Sequence, residues 1–256
     1  MKLKLLFSLP LISVLLTGCF AVTSGNVSIN NGKDSEATIK KELKMPAFNE
    51  IKACQGIKVI VEQGAYKGTI SVATTASAEK YLDVKVENGT LTARYENKGE
   101  GYKKIKGPSI ITVVIPELKE ADTSSGAYLE LKGKFTSKSD IEFELSSGSA
   151  LNIDNLSAPE VSIQTSSGSS AIVENLKCSL DAESSSGSSI IVNHLEGDAI
   201  SLEASSGSSL TVSAVKANSI KADASSGGSI NVSGKTEKFK NSASSGGSVN
   251  YSGLSY

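Results

Sequence analysis

The 256 residues carry a formal net charge of −1, contain no tryptophan and 5% aromatic residues, and include 23 glycines. Arg94 is the only arginine, so an arginine-rich phosphate-binding surface is excluded and nucleic acid is not an expected partner. Such a composition suits one or two domains with a narrow core of Val, Ile, Leu and Ala.

Residues 1–18 read as a targeting segment. Lys2 and Lys4 give a basic start, and Leu5–Leu16 is an apolar run, too short to span a bilayer as a helix. Its end, Leu16-Thr17-Gly18-Cys19, resembles the lipobox of bacterial lipoproteins. The resemblance implies cleavage before Cys19 and lipidation of Cys19, by palmitate among other chains. The acyl chains would hold the protein to a membrane. Phe20 stands where an inner-membrane-retaining aspartate would be, so the outer membrane is the expected location. The plainer alternative is a secretory signal that happens to contain Cys19. Residues 19–44 are polar and weakly patterned, and read as a tether that joins the first strand near its end.

Residues 45–123 are rich in strands but irregular. Ile57/Val59/Val61, Ile70/Val72, Leu82/Val84/Val86, Leu91/Ala93/Tyr95 and Ile111/Val113/Ile115 alternate. Asn88-Gly89 between two alternating runs marks an antiparallel hairpin. This region is therefore expected to cap one end of a more regular structure and to cover its strand edges. Lys98–Pro108 reads as a solvated basic loop.

Residues 124–256 hold that regular structure. Ser-Ser-Gly ends at Gly126, Gly148, Gly168, Gly187, Gly207, Gly227 and Gly246. The spacing is nearly constant, and a fixed period of this size, roughly 20 residues, marks a solenoid. Apolar residues follow three and five positions after each glycine, as in Leu151/Ile153, Ile190/Val192 and Leu210/Val212. Another apolar column, Leu156, Leu176, Leu195, Val215 and Leu254, stands eight positions after it, broken by Lys235. A second alternating pair precedes the next tripeptide, as in Val161/Ile163 and Ile200/Leu202. Each repeat reads as strand, corner, strand, corner, with glycine supplying positive φ or a close backbone approach. One unit cannot bury its inward face. Stacked units can, as a parallel β-helix with coils ~4.8 Å apart. Flexible Gly/Ser linkers would need neither a fixed period nor alternating flanks.

The order of the motifs carries a resemblance. Behind the lipobox come Phe48–Ile51, Gly56-Ile57-Lys58-Val59, Glu87-Asn88-Gly89-Thr90-Leu91, Ile115-Pro116-Glu117-Leu118 and the Ser-Ser-Gly array. Over residues 45–256 the chain is similar to the head GIN domain family of exported Bacteroidetes-type adhesins. The resemblance implies a right-handed, pectin-lyase-like β-helix, an adhesin role and no catalytic residues.

The residues themselves offer little catalytic chemistry. His194 is the only histidine. It falls at a corner where other repeats carry Asn155 and Asn175, so a surface-turn role is expected. A Ser-His-Asp triad is not expected, since serine needs an adjacent base. Four positions before successive glycines stand Glu144, Gln164, Glu183, Glu203 and Asp223, and six before stand Glu142, Ser162, Asp181, Ser201 and Lys221. Alternation places both columns on one outer face. A solvated, aggregation-resistant face is the simpler reading. Stacked like charges repel unless neutralised, so a weak calcium site at Asp181, Glu183, Glu203 and Asp223 is the sharper one.

The expected function is a non-catalytic, envelope-anchored protein acting in adhesion or surface interaction, with a host or cell-surface protein or glycan as partner. A glycan-binding module or a carbohydrate-active enzyme on a β-helix is the alternative. Cys54 and Cys178 are far apart in the chain. Linear stacking would put roughly six coils or ~29 Å between them, so two free thiols are expected. At the C-terminal side Val249, Tyr251 and Leu254 lack a further coil. Tyr251 and Tyr256 are expected to fold over as a lid, with a weak homodimer as the alternative to a monomer.

Overall fold

The computed structural model describes residues 24–27, 38–96 and 105–256. The signal segment, Cys19 and the first part of the basic loop lie outside the described residues. The N-terminal part runs β1 (Ser24–Val27), β2 (Thr38–Lys44), β3 (Glu50–Ala53), β4 (Lys58–Gln63), β5 (Thr69–Thr75), the helical turn α1 (Ala76–Glu79), β6 (Leu82–Glu87), β7 (Thr90–Tyr95), β8 (Ile110–Ile115) and β9 (Glu120–Thr123). The remainder is β10 (Tyr128–Thr136), β11 (Ile141–Leu145), β12 (Ala150–Thr165), β13 (Ser170–Ser184), β14 (Ser189–Ala204), β15 (Ser209–Ala224), β16 (Ser229–Ala243) and β17 (Ser248–Ser255).

The repeats stack as a parallel β-helix. From β12 to β16 each strand runs through a corner and pairs in parallel with the equivalent strand of the next coil. Register keeps like with like: Ile153 meets Val173, Val192 and Val212 in successive coils, and Leu156 meets Leu176, Leu195 and Val215. The corner thus contributes a ladder of its own. The column is broken at Gly234, which register sets against Val215, and not at Lys235. The backbone approaches too closely there for a side chain, since a Cβ on Gly234 would lie 2.3 Å from the Val215 nitrogen. Phe135 starts the same column opposite Leu156. The inward residues are buried almost without exception up to Val232.

The tripeptide turns have one geometry. The central serine and the glycine both adopt positive φ, for example 53° and 70° at Ser186 and Gly187. A left-handed serine costs about 1–2 kcal/mol, offset by bonds that every coil repeats. The residue after the glycine donates to the first serine, as Ser188 N to Ser185 O at 3.2 Å. The glycine N–H donates to the middle serine of the next coil, as Gly187 N to Ser206 O at 3.2 Å. Inside each of four turns a buried serine, Ser149, Ser169, Ser188 or Ser208, accepts from the first serine's N–H and donates to a carbonyl of the preceding coil. These hydroxyls are stacked in the core, where an unpaired one would be costly. Gly228 and Gly247 end the series, and the turn tightens: Gly228 N lies 2.7 Å from Ser225 O.

The N-terminal region continues the helix in a different chain order. Cys54-Gln55-Gly56 forms a further turn of the same kind, with φ of 61° and 74° at Gln55 and Gly56, and Gly56 N donates to Ser125 O at 3.1 Å. The coil β3–β4 is sandwiched in parallel between β7 and β8 on one side and β9 and β10 on the other. The chain therefore makes this coil first and the one beneath it later. It then steps past β3 to reach β9. Gln63 fastens the crossing, donating to the carbonyls of Pro116 and Thr136 and accepting from Thr136 N. Beneath β7 and β8 all pairing becomes antiparallel, through β6, β5, β2 and β1. The expected cap is this set of strands, and Asn88-Gly89 is the turn of its β6–β7 hairpin.

Two expectations change. The stretch 19–44 is not tether throughout, because β1 pairs with β2, and β2 with β5 along its whole length. Its lysines hid the signal: Ile39, Lys41 and Leu43 alternate with exposed Lys40, Glu42 and Lys44, and Lys41 pairs with Glu79. Cys54 and Cys178 are also closer than linear stacking implies. Residues 64–118 lie mostly beneath the Cys54 coil, so its turn is three rungs below the turn at Gly168, roughly 14 Å along the axis. That separation still exceeds disulfide reach, and both thiols are free. At the C-terminal side Tyr251 and Tyr256 pack on Phe239, with ring centroids 5.1 and 5.5 Å away, and both tyrosines remain exposed.

Candidate surface sites on the solenoid

Parallel register turns each outward position into a column, and two columns form the acidic face. Asp122, Glu144, Gln164, Glu183, Glu203 and Asp223 stand one above another. Beside them run Glu120, Glu142, Ser162, Asp181, Ser201 and Lys221. Between the first column and the turn serines lies a groove of about 320 Å³. Stacked carboxylates repel, and the ends of the column are relieved by lysine. Lys52 lies 3.5 Å from Glu120, and Lys221 lies 2.6 Å from Asp223 and 3.7 Å from Glu203. Glu183 in the middle has no such partner among the described residues. Partial burial, then the fields of Asp181 and Glu203, raises its pKa.

The four residues expected to bind calcium do lie on this face, with Glu183, Glu203 and Asp223 adjacent in register. They do not converge. Among the described residues no three carboxylate, imidazole or thiol groups gather closely enough to hold a metal ion. Lys221 takes the place a cation would have between Glu203 and Asp223.

The corner opposite forms a second groove, larger and of opposite sign, with a volume of about 670 Å³. Its floor is the backbone of the buried Leu156, Leu176 and Leu195 column. One rim carries Lys134, Asn155, Asn175 and His194, each a rung apart. The other carries Ser157, Lys177, Glu196 and Lys216. The amides are pinned along the axis: Asn155 Nδ2 donates to Gly133 O, and Asn175 Nδ2 to Asn155 Oδ1 at 3.0 Å. His194 is exposed, with Nδ1 3.3 Å from Glu174 O, in the asparagine column as its spacing implied. The lysines of this groove were missed in the sequence. The available signal was the ninth position after the turn glycine, occupied by Lys177, Glu196 and Lys216.

Of the two free thiols Cys178 is buried and Cys54 only half-buried. Burial pushes Cys178 up to about 12. Burial raises Cys54, the field of Arg94 opposes that shift, and the field of Asp122 adds to it.

The fold and sequence have relatives. The crystal structure of a putative adhesin from Bacteroides fragilis superimposes with a TM-score of 0.69 at 17% identity, covering 85% of this chain and 98% of that one. A protein from Parabacteroides distasonis titled a putative lipid binding protein gives 0.65 at 18% identity, covering 84% and 96%. A further titled adhesin from Parabacteroides merdae gives 0.56 at 14% identity, covering 84% and 95%. At these identities the likeness is one of fold. No curated protein matches the chain. The family described as "putative auto-transporter adhesin, head GIN domain" matches residues 47–190 and 179–256, which is the solenoid from its first coil to its last, and the chain belongs to that family.

Proposed function

We propose that the protein is a non-catalytic adhesion protein of the cell envelope, anchored to the outer membrane through lipid on Cys19. The family match across the whole solenoid carries this reading. The surface agrees with it: outward columns repeat from coil to coil, offering an extended contact area in place of a deep cleft. The lipobox at Leu16–Cys19 would anchor the protein at the end of the solenoid that carries β1 and β2.

The test compares cells producing the protein, cells lacking it and cells producing Cys19→Ala. Adhesion to a host-cell layer or to partner bacteria should fall in the second and third. Protease added to intact cells should remove the solenoid from the first only, and palmitate labelling should require Cys19. Equal adhesion by all three strains would defeat the adhesion role. Labelling that survives Cys19→Ala would defeat the anchor.

A further inference from the structure

The net charge of −1 hides a cross-section with two signs. Carboxylates line one face, and the opposite corner groove carries Lys134, Lys177 and Lys216. These three lysines are exposed, and they are not evenly scattered. Lys134 stands on the coil of β10, Lys177 on that of β13 and Lys216 on that of β15. Lys177 and Lys216 stand two rungs apart on one rim, a spacing of ~10 Å, and Lys134 stands two rungs before Lys177 on the facing rim. Lys177 is shared with Glu196 at 3.6 Å, whereas Lys134 and Lys216 make no ion pair among the described residues. Between the lysines Asn155, Asn175 and His194 present polar edges, held in line by the amide ladder and the Glu174 carbonyl.

We propose that this groove binds a linear acidic polysaccharide with one carboxylate per disaccharide, lying along the solenoid axis. A spacing of two rungs is about one disaccharide in an extended chain. Each carboxylate then meets a lysine, and the hydroxyls between meet the Asn175 carbonyl oxygen and the outer His194 nitrogen. The Asn155, Asn175 and His194 edges are already ordered by their own hydrogen bonds, so binding immobilises the lysines and few other side chains. Charge and shape both select against the acidic face as the site for such a polymer. The inference deepens the adhesion reading by naming a ligand class.

The full chain should be tested against hyaluronan, which has the required charge spacing, with dextran as the neutral polymer. Interferometry should show salt-sensitive binding to hyaluronan and none to dextran. Lys177→Gln with Lys216→Gln should weaken it about tenfold or more, as loss of two charge-assisted contacts implies. Lys238→Gln with Lys240→Gln, exposed on another face, should leave it within about twofold, and melting temperatures should stay unchanged, as expected of surface substitutions. Absence of binding, equal weakening by the two double variants, or equal binding to carboxyl-reduced hyaluronan would each overturn the proposal. So would self-association abolished both by the groove variant and by Glu183→Gln with Glu203→Gln, since the groove would then hold the acidic face of a second copy. If adhesion persists while hyaluronan binding fails, the ligand class is wrong and the adhesion role stands. If hyaluronan binds while the deletion strain adheres normally, the groove stands and the adhesion role fails.

Discussion

Residues 124–256 and residues 45–123 build the same object by different routes. Both contribute coils with a turn of two positive φ values, inward aliphatic columns and parallel register. In the first region successive coils follow one another along the chain, so every column is printed as a fixed period in the sequence. In the second, the coil β3–β4 is laid down before the coil beneath it, and a longer connection replaces the tripeptide turn between β7 and β8. The same structural repeat then leaves no period. What a sequence period reports is the order in which coils are laid down; the presence of coils is a separate matter. The irregular region also does what the regular one cannot, since its antiparallel strands end the open parallel ladder.

The largest effects should come from testing whether the two regions share one core. Ile57 and Ile190 are both 0% exposed, one in the reordered coil and one in the array. Either residue changed to Asp would bury an unpaired charge and cost about 4 kcal/mol or more. Asn193→Asp, on the outer face, should stay within roughly 0.5 kcal/mol. Thermal unfolding followed by circular dichroism should show one lowered transition for both core variants. If Ile57→Asp loses only part of the signal while the rest melts as in wild type, the N-terminal region is a separate body.

A second comparison lies within the array, between glycines that set φ and glycines that make room. Gly207 has φ of 72° with nothing within 4 Å of a built Cβ, whereas a Cβ on Gly228 would lie 2.3 Å from Ala204 O. Gly207→Ala should therefore cost about 1–2 kcal/mol, the left-handed penalty alone. Gly228→Ala must displace the backbone of the neighbouring coil and should cost more. Equal melting temperatures for the two would mean that the close approach at Gly228 relaxes freely.

Ser188→Ala probes the buried hydroxyl column with a smaller expected loss. It removes the acceptor of Ser185 N–H and the donor to Thr165 O, a change of about 1–3 kcal/mol. Ser189→Ala, two positions after the glycine but facing outward, is its control. If both cost the same, the interior column contributes nothing beyond packing.

These cases also mark how far the sequence could be read. Apolar alternation was enough for the strands of the array, the acidic columns and the hairpin at Asn88-Gly89, because each is a local pattern, but it missed β2 and placed Lys235 where the register sets Gly234. The turn at Cys54-Gln55-Gly56 was not recognised, since its identity lies in φ values and in one bond to Ser125, far along the chain. The inward hydroxyls of Ser149, Ser169, Ser188 and Ser208 were not recognised either. Only the closed coil reveals that the fourth residue of Ser-Ser-Gly-Ser points inward. The lysines of the corner groove were missed because Glu196 interrupts their column between Lys177 and Lys216 and Lys134 stands on the facing rim.

The smallest effect concerns the acidic face and turns on a sign. Burial and the fields of Asp181 and Glu203 raise the pKa of Glu183, so the folded state holds this proton more tightly than the unfolded chain does. The raised pKa therefore favours the fold when the carboxyl is protonated, and that advantage is lost as pH rises through the folded value. At pH 7 the charged Glu183 works against the fold. Glu183→Gln keeps the shape and removes the charge, so it should stabilise by at most roughly 0.5 kcal/mol at neutral pH, as fits a surface position. The gain should shrink on acidification and vanish below the ordinary glutamate range. Gln164, already neutral in the same column, is the natural counterpart, and Gln164→Glu should destabilise in the same pH window by adding a charge between Glu144 and Glu183. Melting temperatures of the two variants and wild type, measured from pH 4 to pH 8, should diverge upward for one and downward for the other. If both curves track wild type, solvent screens the column and its carboxylates are independent. If Glu183→Gln is less stable at pH 7, a bound cation held by these carboxylates offsets their repulsion, and added chelator should then lower the wild-type melting temperature to that of the variant.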